Sequence, residues 1–304
     1  MEYCLETEYL IKNYRNFHAL NGLTMHVPRG AIYGLIGKNG AGKTTLIRII
    51  CGLQNPSGGS YSLYGERFDG RGIYKARSRM GGVVETPSVY ANMTAYENIK
   101  QQFMLLGKPS FDGIDELLKL VRLDDTGKKK AGHFSLGMKQ RLGIAIALAG
   151  NPDFIVLDEP VNGLDPQGIV EIRELILKLN REKNITFLVS SHILGELSKI
   201  ATHYGFVHKG EILKEITAQE LKDVCRKCLS ITVTNPSALA PALDFLKLEY
   251  RLTAENKADV YGDVDLTEFG SILKLHGVTL LHATEKDEDL ESYYINLIGG
   301  DLNG

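Results

Sequence analysis

One stretch of the sequence has the residue types of a phosphate-binding loop. GKNGAGKT, residues 37–44, matches G-x-x-x-x-G-K-[ST] and lies between AIYGLIG, which predicts a buried strand, and TTLIRIICGL, which has helical spacing. Backbone N–H groups of such a turn and the positive end of the helix bind phosphate oxygens. Lys43 is placed to reach the outer phosphates, and the Thr44 hydroxyl to bind Mg²⁺. The residues expected to bind nucleotide are Gly37, Lys38, Asn39, Gly40, Ala41, Gly42, Lys43, Thr44 and Thr45.

A second group of candidate residues lies at the end of another apolar run. FIVLDEP, residues 154–160, predicts a buried strand with Asp158 at its carboxyl end, near the loop that follows the first strand. Asp158 can hold Mg²⁺ through a water molecule, and Glu159 can act as general base for a water that attacks the terminal phosphate. An Asp-Glu pair alone is often only a helix cap, but together with the phosphate loop it favours hydrolysis.

The stretch HFSLGMKQRLGIAIALAG, residues 133–150, indicates the class of nucleotide hydrolase. FSLGMKQR resembles the signature motif of the ABC (ATP-binding cassette) ATPases, which reads close to LSGGQ and precedes the acidic strand by about this distance. The resemblance implies that Ser135 and Gly137 meet the γ-phosphate of ATP bound to a second cassette. Its physical basis is the attraction of an anion to a helix N-terminus across an interface. The chain is then expected to pair with a copy of itself or with a related cassette.

Further residues match ABC motifs in the family's order. Tyr14 resembles the aromatic residue that stacks on adenine, Asp165 in GLDP the residue that couples two cassettes, and His192 in VSSH the histidine that contacts the γ-phosphate. The resemblance thus implies a catalytic set of Glu159, His192 and Lys43. Glu85, in MGGVVETPSVY, stands where the family usually has a glutamine that senses Mg²⁺ and relays to the membrane partner. A carboxylate at this position could bind Mg²⁺ directly.

The resemblance covers about residues 1–215, and its details point to one group within the family. The chain resembles the ATPase subunits of bacterial exporters for bacitracin and lantibiotics in four features. These are Glu85, Leu136 in place of the signature's first glycine, the residues around the phosphate loop and the C-terminal extension. This implies an ATPase that uses ATP and Mg²⁺ to power a separate membrane permease, which exports an antimicrobial peptide or a similar envelope-active compound. The protein is expected in the cytoplasm, peripheral on the inner face of the membrane, with its permease near Glu85 and residues 86–132.

Other functions remain open at this stage. An ATP-switched regulator or another non-transport ABC ATPase would bind ATP tightly and hydrolyse it slowly or not at all, which Glu85 allows. ABC ATPases of DNA repair carry long coiled coils, and ribosome-associated ones carry two cassettes in one chain; neither pattern is present in this sequence. P-loop kinases have no use for a signature helix.

The elements that position these residues follow from the periodicity. Strands alternate with helices after residue 133, which predicts a mainly parallel sheet covered on both faces, while the opening residues predict an antiparallel edge sheet. We therefore expect an α/β P-loop ATPase cassette over residues 1–216, with an inserted helical subdomain over about residues 86–150. Residues 217–304 predict a small α+β accessory domain with a βαββαβ order.

Composition narrows the class of protein further. The chain has 304 residues, of which 43% are hydrophobic and 24% charged, as in a folded protein of about two domains. A formal charge of −2 gives no reason to expect nucleic acid as a partner. The apolar runs are too short to cross a bilayer, and the first residues lack the pattern of a signal peptide. Cys225 and Cys228 form a CxxC pair that we expect to be structural or incidental rather than a zinc or redox site.

Overall fold

The computed structural model divides into two compact units, Met1–Ala218 and Gln219–Gly304. The residues that it describes are 2–225, 227–262, 266–286 and 290–299.

The first unit is built on two sheets. Its strands are β1 (Tyr3–Tyr14), β2 (Phe17–Pro28), β3 (Ile32–Ile36), β4 (Gly58–Leu63), β5 (Glu66–Arg67), β6 (Met80–Val83), β7 (Phe154–Asp158), β8 (Thr186–Ser191), β9 (His203–His208) and β10 (Glu211–Thr217). Its α-helices are α1 (Lys43–Ile50), α2 (Ile73–Arg77), α3 (Ala95–Leu105), α4 (Ile114–Leu120), α5 (Leu136–Leu148), α6 (Pro166–Lys183) and α7 (Leu194–Leu197). One sheet has the order β2-β1-β4-β5 and the other β10-β9-β3-β8-β7-β6.

The predicted mainly parallel sheet is confirmed. Neighbouring strands from β9 to β6 are parallel, and only the edge strand β10 is antiparallel. β3, β7 and β8 are buried at every position, as expected for strands covered on both faces. Their carboxyl ends share one edge of the sheet, since Ile36 lies beside Ser191 and Asp158 beside Ser190. The segments that follow these strands, including the phosphate loop, are therefore brought together.

The second sheet of this unit is the predicted antiparallel sheet, and it helps to hold α1 in place. Leu23, Met25 and Val27 alternate along β2 and form one core with Leu46 and Ile50 of α1. On its other side α1 contacts β7. The sequence analysis did not predict β4, β5, α2 or β6, which complete these sheets.

The inserted helical segment contains α3, α4 and α5, which contact one another. α3 begins with a capping box, because the Thr94 hydroxyl accepts a hydrogen bond from the Glu97 N–H at 3.1 Å and the Glu97 carboxylate accepts one from the Thr94 N–H at 2.7 Å. α5 crosses β6 closely: a Cβ atom on Gly81 would lie only 2.4 Å from the Ala147 carbonyl oxygen. A side chain at this position would therefore push α5 away from the sheet.

The second unit has the predicted βαββαβ order, β11-α9-β12-β13-α10-β14. Its elements are α8 (Ala218–Val224), which begins at the last residue of the first unit, β11 (Cys228–Val233), α9 (Pro236–Phe245), β12 (Glu249–Ala254), β13 (Lys257–Tyr261), α10 (Leu266–Leu275), β14 (Leu280–Lys286) and α11 (Leu290–Gly299). The four strands form an antiparallel sheet in the order β12-β13-β11-β14. Alternate residues Leu229, Ile231 and Val233 of β11 pack into one core with residues of α9 and α10. No helix in the described ranges combines the length and apolar character that crossing a bilayer requires.

Candidate nucleotide-binding site

The loop between β3 and α1 borders an open cleft of about 200 Å³. The residues that line the cleft are Phe17, Ala19, Lys38, Asn39, Gly40, Ala41, Gly42, Lys43, Thr44, Thr45 and Glu159. The predicted loop residues from Lys38 to Thr45 thus face one cleft together with the predicted base. The Gly37 carbonyl lies at its start and accepts a hydrogen bond from the Lys43 ammonium at 2.6 Å.

Glycine at the start of α1 keeps the helix N-terminus accessible to an anion. Gly42 is the N-cap of α1, has φ = 110° and provides no side-chain hydrogen bond to the first turn. A Cβ atom at this position would lie 2.6 Å from the Ala19 carbonyl oxygen. The N–H groups of the first turn, which no side chain caps, can therefore bind phosphate oxygens.

Lys43 is a buried cation between the loop and the predicted base. Its side chain is only 6% exposed, and its Nζ atom lies 3.2 Å from Oε1 of Glu159. A buried charge is costly unless it is paired, so these contacts hold the ammonium at the floor of the cleft. A phosphate that enters the cleft would compete with Glu159 for this cation.

Glu159 has a second side-chain partner and an unusual backbone conformation. Its second oxygen, Oε2, lies 2.8 Å from Nδ1 of His192, which donates a hydrogen bond when it is protonated. Its backbone has φ = 49°, a left-handed conformation that is strained for a residue other than glycine. Strain of this kind persists only where the surroundings hold the residue in place, which supports a functional position for this carboxylate.

Ser190 links the two acidic residues, and the sequence analysis did not identify it. The Ser190 hydroxyl donates a hydrogen bond to Oδ1 of Asp158 at 2.6 Å and accepts one from the Glu159 N–H at 3.0 Å. Ser190 is completely buried and Asp158 is 1% exposed. The only signal in the sequence is a polar residue at the end of an apolar strand, ITFLVSS.

The structure places Tyr14 outside the lining of the cleft. Its hydroxyl donates a hydrogen bond to Oε1 of Gln54 at 2.5 Å, and the Lys12 ammonium lies 5.4 Å from its ring centroid. The aromatic side chain that lines the cleft is Phe17, which is 57% exposed and three residues farther along the same hairpin. Phe17 is thus a second candidate for stacking on a base, and the assignment to Tyr14 stays a prediction.

Glu85 also lies outside the cleft lining. It adopts φ = 60°, and its carboxylate forms an ion pair with Arg48, one turn after Thr44 on α1. The pair balances the negative charge that the sequence analysis expected to act on Mg²⁺. A direct role of Glu85 in metal binding stays a prediction.

Ser135, Gly137 and Asp165 are not among the residues that line the cleft. Ser135 caps α5 by accepting a hydrogen bond from the Met138 N–H at 3.2 Å, and Asp165 caps α6 by accepting one from the Gly168 N–H at 3.1 Å. The two helix starts adjoin, since a Cβ atom on Gly137 would contact the Leu164 side chain at 3.8 Å. The signature residues are therefore grouped with the GLDP loop and not with the lining of their own chain's phosphate cleft.

Two oxygen donors fit a Mg²⁺ ion that arrives with a nucleotide: Thr44, which lines the cleft, and Asp158, which is 1% exposed and directly precedes the lining residue Glu159. In the described part of the chain no three His, Cys, Asp or Glu side chains are grouped to hold a metal by themselves. The Thr44 hydroxyl and the Asp158 carboxylate are oxygen donors, and Mg²⁺ is usually bound by one or two carboxylates together with substrate phosphates and waters. This donor set suits Mg²⁺ bound to ATP better than a permanent metal site.

Comparison with known proteins identifies relatives of the whole chain. The model of the family described as ABC transporter matches residues 20–162. The bacitracin transport ATP-binding protein BcrA of Bacillus licheniformis is 40% identical over 309 aligned residues, which cover 100% of both chains. The lantibiotic transport ATP-binding protein SrtF of Streptococcus pyogenes is 42% identical over 211 residues, or 69% of this chain and 90% of that protein. The dimeric ATP-binding cassette MJ0796, bound to ADP and phosphate after hydrolysis, superimposes with a TM-score of 0.64 at 25% identity and covers 70% of this chain and 98% of its own.

Proposed function

The chain belongs to the ABC transporter family and is an ATPase and ATP-binding subunit of that family, and from this premise we propose that it powers the export of an antimicrobial peptide or a similar envelope-active compound through a separate membrane permease. The observation that carries the proposal is the 40% identity to a bacitracin transport protein over the full length of both chains. This alignment includes the second unit, which the match to the family model does not reach.

The contacts in the cleft suggest how binding prepares hydrolysis. The phosphates of ATP bind to the N–H groups of the loop and of α1, and Lys43 turns from Glu159 to the terminal phosphates. Loss of this partner leaves Oε1 of Glu159 available to orient and deprotonate a water molecule. His192 keeps the carboxylate in place through its other oxygen. Mg²⁺, held by Thr44 and Asp158, would neutralise part of the phosphate charge.

Two chains complete one site in this proposal. Ser135, Gly137 and Asp165 are not among the residues that line the cleft, and each chain would supply one cleft and one such set of residues. ATP in one cleft would therefore be covered by the capped helix start of a second subunit. The dimeric arrangement of the MJ0796 cassette supports this pairing.

The permease is expected to bind at the helical segment. Exposed apolar side chains of this segment include Tyr90, Tyr96, Met104 and Leu105. They follow Glu85 in the chain, and exposed apolar side chains of this kind are available to a partner protein. Binding there would hold the subunit at the inner face of the membrane.

The first test is the substitution Glu159→Gln in the full chain. ATP binding should persist, turnover should fall by about 10² to 10⁴, the usual contribution of a general base, and ATP should now hold a dimer long enough for size-exclusion chromatography. Glu116→Gln, an exposed glutamate of α4, is the matched control and should behave as wild type. Unchanged hydrolysis by Glu159→Gln would remove Glu159 from the mechanism.

The second test addresses export. The chain is expressed with a candidate permease in cells that are sensitive to bacitracin and to a lantibiotic. The Glu159→Gln variant, expressed with the same permease, is the inactive control. Raised tolerance that needs an intact Glu159 supports peptide export. Tight ATP binding without turnover, and tolerance that does not depend on Glu159, would instead favour an ATP-switched regulator.

A further inference from the structure

A half-buried ion pair lies near the residues next to Glu159 and His192 in the chain, and it does not line the phosphate cleft. The Arg173 Nη1 atom lies 3.0 Å from Oε2 of Glu196, and the two side chains are 23% and 22% exposed. Lys199 donates a hydrogen bond to the other oxygen of Glu196 at 2.7 Å. Arg173 belongs to α6, which begins at the GLDP loop, and Glu196 belongs to α7, which follows His192.

α7 cannot hold its own position. It has only four residues, Leu194–Leu197, and a single helical turn gains too few hydrogen bonds to be stable without tertiary contacts. Its contacts with other elements include the buried side chains of Leu194 and Leu197 and the Arg173 guanidinium on Glu196, whereas Lys199 follows Glu196 by three residues on the same segment. Apolar packing alone is non-directional, whereas the charged hydrogen bond from Arg173 ties Glu196 to one position on α6 and so restricts the rotation of the turn.

The same contacts lie beside a chain neighbour of Glu159 and a chain neighbour of His192. Arg173 and Glu196 border a small cavity of about 20 Å³ that is also bordered by Pro160, Val161 and Ser191. Pro160 directly follows Glu159, and Ser191 directly precedes His192. A shift of α7 in this confined space would therefore change the distance between Glu159 and His192, which is 2.8 Å in this structure.

We infer that Glu196 and Arg173 are positioning residues, which hold His192 against Glu159 and connect that contact to the helix of the GLDP loop. The inference rests on the proposed roles of Glu159 and His192. The effect is expected on the rate of hydrolysis and not on nucleotide affinity, because neither residue of the pair lines the phosphate cleft.

The test measures ATPase kinetics of the full chain with Glu196→Gln and with Arg173→Met, and nucleotide affinity with a fluorescent ATP analogue. Each variant should lower kcat by roughly 10-fold to 100-fold, the usual cost of a misplaced catalytic group, with affinity unchanged. Arg173→Lys should restore much of the rate. Glu174→Gln, which breaks an ion pair between α6 and Arg122 on a different side, is the matched control and should keep the wild-type rate.

Two readouts separate positioning from a general loss of structure. In a His192→Ala background, Glu196→Gln should cause no further loss of kcat, because the group that it positions is absent. In ¹⁵N spectra of the histidine rings, Glu196→Gln should shift the His192 signal, which is identified by its loss in His192→Ala. An equal loss of kcat in both backgrounds, or an unshifted His192 signal, would overturn the inference. If the wild-type chain hydrolyses no ATP, the proposed function fails, while the spectra still test the positioning.

Discussion

Replacement of Ser190 by alanine removes a single oxygen atom but should destabilise the first unit strongly. The hydroxyl makes two buried hydrogen bonds, one to the Asp158 carboxylate at 2.6 Å and one from the Glu159 N–H at 3.0 Å. With Asp158 1% exposed, water cannot replace the lost donor without opening the structure.

The size of the effect follows from these two contacts. A hydrogen bond to a charged group contributes about 1.5 to 3 kcal/mol, and one between neutral groups about 0.5 to 1.5 kcal/mol. The second loss is partial, because the Glu159 N–H also points to the Ser190 carbonyl oxygen at 3.2 Å, which the substitution preserves. We therefore expect Ser190→Ala to lower the free energy of unfolding by about 2 to 3 kcal/mol.

Urea denaturation followed by circular dichroism measures this change, with Ser191→Ala as the matched control. Ser191 is also buried, but its hydroxyl bonds to neutral backbone groups: it accepts a hydrogen bond from the Ile193 N–H at 2.9 Å and donates a longer one to the Ile193 carbonyl oxygen at 3.4 Å. Its loss should cost about 1 kcal/mol. If Ser190→Ala is no more destabilising than Ser191→Ala, the hydroxyl does not support the Asp158 carboxylate in solution.

Two further predictions concern the phosphate loop and the thiols of Cys4, which is buried, and Cys51, which is partly buried. Gly42→Ala brings a Cβ atom within 2.6 Å of a β2 carbonyl oxygen and should abolish ATP binding in a nucleotide titration. Gly40→Ala, whose Cβ atom meets nothing within 4 Å, should weaken binding less. Equal losses of affinity in the two variants would contradict the steric argument. Burial raises the pKa of Cys4 and of Cys51 to about 12, so at pH 8 a thiol reagent should label these two cysteines only after denaturation. Rapid labelling of the native protein followed by mass spectrometry tests this, and label on either cysteine before denaturation would contradict it.

Features that depend on a few consecutive residues were accessible from the sequence. A glycine-rich turn with Lys43 and Thr44 between a strand and a helix is recognisable because the backbone of the turn, and not distant packing, binds phosphate. β4 was missed because GGSYSL has too few apolar residues to show alternation.

The amino-acid sequence by itself determined the α/β class of the first unit, the βαββαβ order of the second, the phosphate loop and the identity of the acidic residues. Only the tertiary structure decided which partners these residues have: Ser190 between Asp158 and Glu159, and Arg173 on Glu196. Each of these contacts joins different elements, so it depends on the register of β7 with β8 or on the packing of α6 with α7. Local periodicity carries no information about such pairings, since the residues involved are neighbours in space and not along the chain.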